Sequence, residues 1–207
     1  MDKRSQILIA AEELFADKGL DGTSVRDIAH KAGVNLAMIS YYFGSKEKLV
    51  EALIEYRSGY TVGVLEDLAS DENLDPMGKM FKLIDFYVDR IFTHYRYHNI
   101  IMRQFSTMHS QELKESVMRM KEKNLEQIRK IMEDGEQKGV FRKIDLEMTM
   151  GTLMGTISQV TLSKDFYCRI LGMWPSEQGG EFSQELADRL KNHLKDLISA
   201  HLSIPKL

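Results

Sequence analysis

The sequence predicts an all-α fold of about nine helices, a small N-terminal cluster of three followed by a larger helical region. Three observations carry this. Apolar residues recur at three- and four-residue spacing along almost the whole chain; only 3 prolines interrupt its 207 residues; and no alternating apolar–polar run is long enough to make a useful strand.

Ile7, Ala11, Leu14 and Phe15 share one face of a first helix, which ends at Lys18-Gly19, where glycine suits a left-handed C-cap. After the turn Leu20-Asp21-Gly22-Thr23, Ser24 reads as an N-cap with Asp27 at capping-box spacing. Val25, Ile28, Ala29 and Ala32 form the stripe of a short second helix, broken at Gly33. Asn35 caps a third helix, residues 36–43, and Gly44 stops it. Ser45 caps a fourth with the stripe Leu49, Leu53, Tyr56, Tyr60. Asp75-Pro76 starts the next, a capping carboxylate before a proline whose missing N–H is no loss at the first helical position. A shorter element over 99–108 leads into a long polar helix ending near Gly139. Asp145 caps an apolar helix expected to run through Leu171, and Gly172, Pro175, Gly179 and Gly180 mark a loop. Ser183 caps the last helix, with Leu186, Leu190, Leu194, Leu197 and Ile198.

Composition narrows the class. Hydrophobic residues are 43% and charged residues 29%, an ordinary globular balance. The single cysteine, Cys168, excludes an intramolecular disulfide framework or a multi-cysteine metal site. No apolar run approaches the roughly 18 residues of a membrane span, and Glu12 and Glu13 interrupt the place where a signal peptide would be apolar. The expectation is a soluble cytoplasmic protein with no membrane partner. A formal net charge of −3 argues against a generally basic nucleic-acid coat. From Thr23 to Lys46, however, Arg26, Lys31 and Lys46 stand against Asp27 alone.

The second and third helices are short and joined by Ala32-Gly33-Val34, the geometry of a helix-turn-helix. At about 100° per residue, Ile39 and Phe43 face inward while Ala37 and Tyr41 lie opposite. Met38 and Ser40 flank them, with Leu36 and Tyr42 at the borders. That outward face is small, apolar or aromatic. A helix bathed only in water would carry Glu and Lys there. A helix entering a major groove needs slim side chains and gains from methyl contacts to thymine.

The run SVRDIAHKAGVNLAMISYYFGSKEKLV, preceded by ILIAAEELFADKGLDGTS, resembles the N-terminal domain of the TetR family of bacterial transcription regulators. The resemblance covers about residues 5–54; the rest matches in length and helical character. It implies a homodimer that sets two third helices in the major groove of a palindromic operator, and a ligand-responsive regulator, a repressor released by a small-molecule effector. It implies a DNA-binding domain over residues 1–46 and a ligand-binding and dimerisation domain over 47–207. Phosphate contacts carry over to Thr23 or Ser24, to Tyr41 and to Lys46. Base-facing positions carry over to Asn35, Leu36, Ala37, Met38 and Ser40, with Tyr42 at the edge. The chain departs from the commonest pattern at Ser40, where a Tyr often stands, at Tyr41, often His or Trp, and at Leu36, often Lys or Arg.

Other features have plainer readings beside sharper ones. His94 and His98 have a spacing that puts two imidazoles on one helix face, but no third ligand is evident, so no metal and no cofactor is expected. Of 13 methionines only Met1 and Met38 precede Pro76; the others suit a core or the adaptable wall of an apolar effector pocket. Arg103, Gln104, Met120, Gln159 and Tyr167 are the candidate pocket residues. Gly151 and Gly155, one turn apart in an apolar helix, let another helix approach, either a neighbour or its symmetry mate. In the family the last two helices make the dimer bundle, so Gly151, Gly155, Leu190, Leu194 and Leu197 are the interface candidates. An enzyme is the first rival, against which stand the absence of a nucleophile elbow, phosphate loop or paired acidic motif. An adaptor that has lost DNA binding is the second, against which stand Asn35, Tyr41 and Lys46.

Overall fold

The computed structural model describes residues 2–105, 111–173 and 182–204, with side chains at 58, 101 and 103–105 left aside. The described residues form ten helices: α1 (Lys3–Lys18), α2 (Val25–Ala32), α3 (Leu36–Phe43), α4 (Lys46–Ser70), α5 (Pro76–Thr93), α6 (Tyr95–Phe105), α7 (Gln111–Gln137), α8 (Leu146–Leu162), α9 (Lys164–Leu171) and α10 (Gln184–Leu202). They fall into two compact units, Met1–Val62 with Arg96–Lys123, and Gly63–Tyr95 with Asn124–Leu207. The packing therefore divides the chain differently from a cut at residue 46: most of α4, most of α6 and the first half of α7 belong with the N-terminal helices.

In the first unit Ile7, Leu8, Phe15, Ile28, Ile39, Leu49, Leu53 and Ile54 are essentially removed from solvent, and Leu113 and Val117 of α7 join the same core. Burying each such side chain contributes about 1.5–3 kcal/mol. One charge sits among them. Glu12 on α1 is buried and receives the Arg57 guanidinium of α4, Nε at 2.8 Å and Nη2 at 2.6 Å. Burial pushes the Glu12 carboxyl above its usual range, and Arg57 pulls it back. Farther along the unit, Lys48 bridges Glu51 at 2.9 Å and Glu112 at 2.5 Å, while Ser116 donates to Glu51 at 3.1 Å.

In the second unit α5 and α10 pack along Met80, Leu83, Ile84, Val88 and Leu186, Leu190, Leu194, Ile198. Lys191–Asp89 at 2.5 Å and Lys195–Asp85 at 2.6 Å edge that seam. Beyond α7, Phe141 is buried, forms an antiparallel bridge with Ser203, and is followed by Arg142, whose N–H donates to Leu202 at 2.9 Å. The methionines at 80, 132, 150 and 173 are buried and serve as core.

Three expectations change. The helix expected from Asp145 to Leu171 breaks at Ser163, which raises the count from about nine to ten. There Ser163 leaves the helical region at φ −107, ψ 32 while its N–H still donates to the Gln159 carbonyl at 3.0 Å, closing α8. The element expected over 99–108 begins earlier, at Tyr95; residues 106–108 lie outside the described ones, as do Pro175, Gly179 and Gly180. Gly19 has φ 75 and ψ 171, an extended backbone at positive φ in place of the left-handed helical cap.

Candidate nucleic-acid interface

Local chemistry builds the helix-turn-helix. The Ser24 hydroxyl accepts from the Asp27 N–H at 3.2 Å while the Asp27 carboxylate accepts from the Ser24 N–H at 3.0 Å, closing the capping box. The hydroxyl and N–H of Ser24 hold the Asp27 carboxyl below its usual range. Gly33 then turns the chain at φ 61, ψ 38, the left-handed region where a Cβ is strained, and its N–H caps α2. Asn35 Oδ1 accepts from Ala37 N–H at 2.9 Å and starts α3. Ser45 Oγ accepts from Lys48 N–H at 3.2 Å at the start of α4.

The phase of α3 follows from what it buries. Ile39 and Phe43 are 2% and 8% exposed, whereas Tyr41 is 83% exposed and Ala37 and Ser40 are open to solvent. Leu36 and Tyr42 are each 38% exposed, and Met38 is half-buried. Tyr41 and Tyr42 pack edge to face at 5.2 Å, which braces two aromatic rings on the outer surface. Beside α3 lies a cleft of about 520 Å³ between the start of α2 and the start of α4, lined by Ser24, Ser40, Gly44, Ser45 and Lys46 and by Asp21 and Asp27. The Ser40 and Ser45 hydroxyls and the Lys46 ammonium are donors of the kind a phosphate takes, and a helix N-terminus adds partial positive charge.

Three candidates in this region are already engaged, among them Ser24, whose hydroxyl donates to the Asp27 carboxylate at 2.6 Å. Thr23 is buried, and its hydroxyl donates to the carbonyls of Leu14 at 3.2 Å and Gly19 at 2.9 Å. That side chain ties the α1–α2 turn and is not available to a phosphate, so of the pair Thr23 or Ser24 only Ser24 faces outward. Asn35 holds its carbonyl oxygen toward the Ala37 N–H as a cap, which leaves its amide hydrogens and one oxygen lone pair to offer.

The other candidates belong to different units. The side chains of Arg103 and Gln104 lie outside the described residues. Met120 packs against the core of the first unit and Tyr167 against that of the second, while Gln159 is exposed. Leu190 and Leu194 are buried in their own unit, so they are core and not an outward face; Leu197 is partly buried. Gly151 and Gly155 are exposed, and an added Cβ would meet nothing within 4 Å, so no helix among the described residues occupies their notch. Met148 at 69% and Leu162 at 41% exposure continue that face of α8. His94 ends α5 and His98 lies in α6, so the two do not share a helix; burial drives His98 down to about 4, with Lys121 adding to the shift. No group of three or more metal-ligating side chains occurs among the described residues, and no helix there is long and apolar enough to cross a membrane.

A short capped helix with a slim outer face, held by a left-handed glycine turn on a three-helix core, defines a helix-turn-helix DNA-binding regulator. Comparison with known proteins agrees. Residues 7–53 match the family profile "Bacterial regulatory proteins, tetR family", and residues 73–162 match "Tetracyclin repressor-like, C-terminal domain". The chain is 33% identical over 180 residues to Probable HTH-type transcriptional regulator YttP of Bacillus subtilis, covering 84% of each. This protein belongs to the TetR family of transcriptional regulators. Its fold is shared with the ketosteroid regulator KstR2 of Mycobacterium tuberculosis (TM-score 0.73, 19% identity, 99% and 96% of the two chains covered). It is likewise shared with FadR of Bacillus subtilis in complex with stearoyl-CoA (TM-score 0.72, 20% identity, 95% and 98% covered).

Proposed function

We propose that this regulator is a repressor that binds a palindromic operator as a homodimer and leaves it when a small-molecule effector binds. The observation that carries the DNA reading is the outer face of α3, where Ala37, Ser40 and Tyr41 stand clear of the core and Lys46 follows at the cleft. Ser24, Tyr41 and Lys46 hold phosphates. Leu36, Ala37, Met38 and Ser40 face bases, with Tyr42 at the edge and Asn35 offering its amide donors. Residues 1–46 act as the reading head, and 47–207 bind the effector and dimerise. The exposed notch at Gly151 and Gly155 supports a partner copy of α8 there, because nothing among the described residues fills it. Two-fold symmetry then presents the reading helices to successive major grooves, about 34–36 Å apart.

Gel shifts against the DNA upstream of the protein's own coding sequence test the reading. Tyr41→Phe and Lys46→Ala weaken binding with little change in sequence preference, since phosphate contacts carry no base information. Unchanged affinity in both variants removes these residues from the site. Effector release is tested by titrating ligands, stearoyl-CoA and sterol ketones among them, with and without operator. A tenfold relief of binding requires about 1.4 kcal/mol of differential affinity, and the same factor must appear in reverse as weaker effector binding on DNA. Equal effector affinity in the two titrations marks a bystander.

A further inference from the structure

We propose that Arg4, at the start of α1, is a further DNA-contacting residue, a phosphate clamp held in place by stacking on the last residue of the reading helix. The inference rests on the DNA-binding reading above and adds to it an element, α1, that the helix-turn-helix itself does not include.

The Arg4 guanidinium carbon lies 5.6 Å from the centroid of the Phe43 ring. Phe43 closes α3, two residues after Tyr41 and three before Lys46, so the stack brings the first turn of α1 to the same end of the reading helix as the cleft-lining lysine. Phe43 is 8% exposed and fixed in the core, so it is an immobile platform, whereas Arg4 itself is exposed. An arginine held over a ring by cation–π attraction spends no N–H donor on that contact, and its donors match two phosphate oxygens. A flexible lysine would have to be ordered at the moment of binding. The stacked guanidinium is ordered beforehand.

The electrostatic surroundings point the same way. Within the first unit Lys31 is paired with Glu13 at 2.8 Å, Lys48 with Glu51 and Glu112, and Arg57 with Glu12. Arg4 has no carboxylate partner among the described residues; the nearby Asp2 caps α1 instead, accepting from Ser5 N–H at 2.7 Å and Ser5 Oγ at 3.1 Å. A cation kept in place by an aromatic ring and left without an acidic partner retains its full charge for an external anion. Lys3, next to it, bonds to Gln6 at 3.2 Å and adds charge without the stacking.

The test uses the full-length protein and a duplex selected by it from a random-sequence pool, with binding measured by fluorescence anisotropy across a salt series. Arg4→Ala is expected to lower affinity roughly five- to twentyfold and to reduce the slope of log K against log salt by about 0.9 for each lost phosphate contact, hence by about two units for a dimer on two half-sites. Arg4→Lys is expected to restore the slope but only part of the affinity, because the charge returns without the pre-set fork. Lys143→Ala, an equal loss of charge at an exposed position outside the first unit, is the control for net charge. Affinity and slope of Arg4→Ala equal to those of the unsubstituted protein overturn the proposal, and so does a loss matched by Lys143→Ala. A base-preference change at a selected position would also overturn it, since a phosphate clamp reads no base. Failure of the unsubstituted protein to select any duplex is a different result: it overturns the DNA reading and, with it, this clamp.

Discussion

Gly135→Ala in α7 should destabilise the protein although helix propensity argues the reverse. Replacing a helix-interior glycine by alanine ordinarily returns about 1 kcal/mol. At Gly135 the new Cβ would fall 2.7 Å from Cγ of Phe141 and closer still to Cδ2 and Cε2. The ring has no easy retreat. The N–H groups of Val140 and Phe141 both donate to Gly135 O, at 2.9 and 3.1 Å, and Phe141 is bridged to Ser203 on its other side. Overpacking of this kind costs about 1–3 kcal/mol, and full expulsion of a buried phenylalanine about 3–5. After the propensity gain, overpacking leaves a net loss of about 0–2 kcal/mol and expulsion about 2–4; the expected value is about 2 kcal/mol, or roughly 4–8 °C in melting temperature for a chain of this size. Circular dichroism melts read it directly. Gly59→Ala, where a Cβ meets nothing within 4 Å, should instead melt at or above the unsubstituted protein. In a Phe141→Ala background the effect of Gly135→Ala should change sign. A Gly135→Ala protein that is as stable as its parent would refute the steric argument.

Three further outcomes are expected. Ala37→Glu should abolish specific DNA binding while keeping the melting temperature, because Ala37 is exposed on α3; a mutant that unfolds would show the position is needed for packing. Gly155→Leu should yield monomers in sedimentation at micromolar concentration without loss of helicity, because its Cβ space is open among the described residues and the added bulk would obstruct the proposed partner helix; a persistent dimer would place the interface elsewhere. Arg57→Met should cost about 3–5 kcal/mol by leaving Glu12 buried and unpaired. Because the Glu12 carboxyl is raised in the folded state, the folded protein holds its proton more readily than the unfolded chain. Its contribution to stability therefore declines as pH rises from about 4.5 through the folded value. Urea midpoints between pH 4 and 7 should show that decline steepen in Arg57→Met and vanish in Glu12→Gln.

Local chemistry alone was enough to locate the reading head. The caps at Ser24, Asn35, Asp75, Asp145 and Ser183, the turn at Gly33 and the inward pair Ile39 and Phe43 are contacts between near neighbours in sequence, so residue type and spacing determine them. Properties that depend on what lies across the core were decided only by tertiary structure. Leu190 and Leu194 look like any apolar stripe in sequence, and only packing with α5 assigns them to the chain's own interior. Thr23 looks like any turn threonine until the carbonyls of Leu14 and Gly19 take its hydroxyl. Arg4 carries no motif, and its place beside α3 arises from two helices meeting 39 residues apart. Gly135 and Gly155 are both helix-interior glycines; one faces a ring and the other open space. A helical period says which residues share a face, but the identity of the opposite surface is set by long-range packing, to which the local pattern has no access.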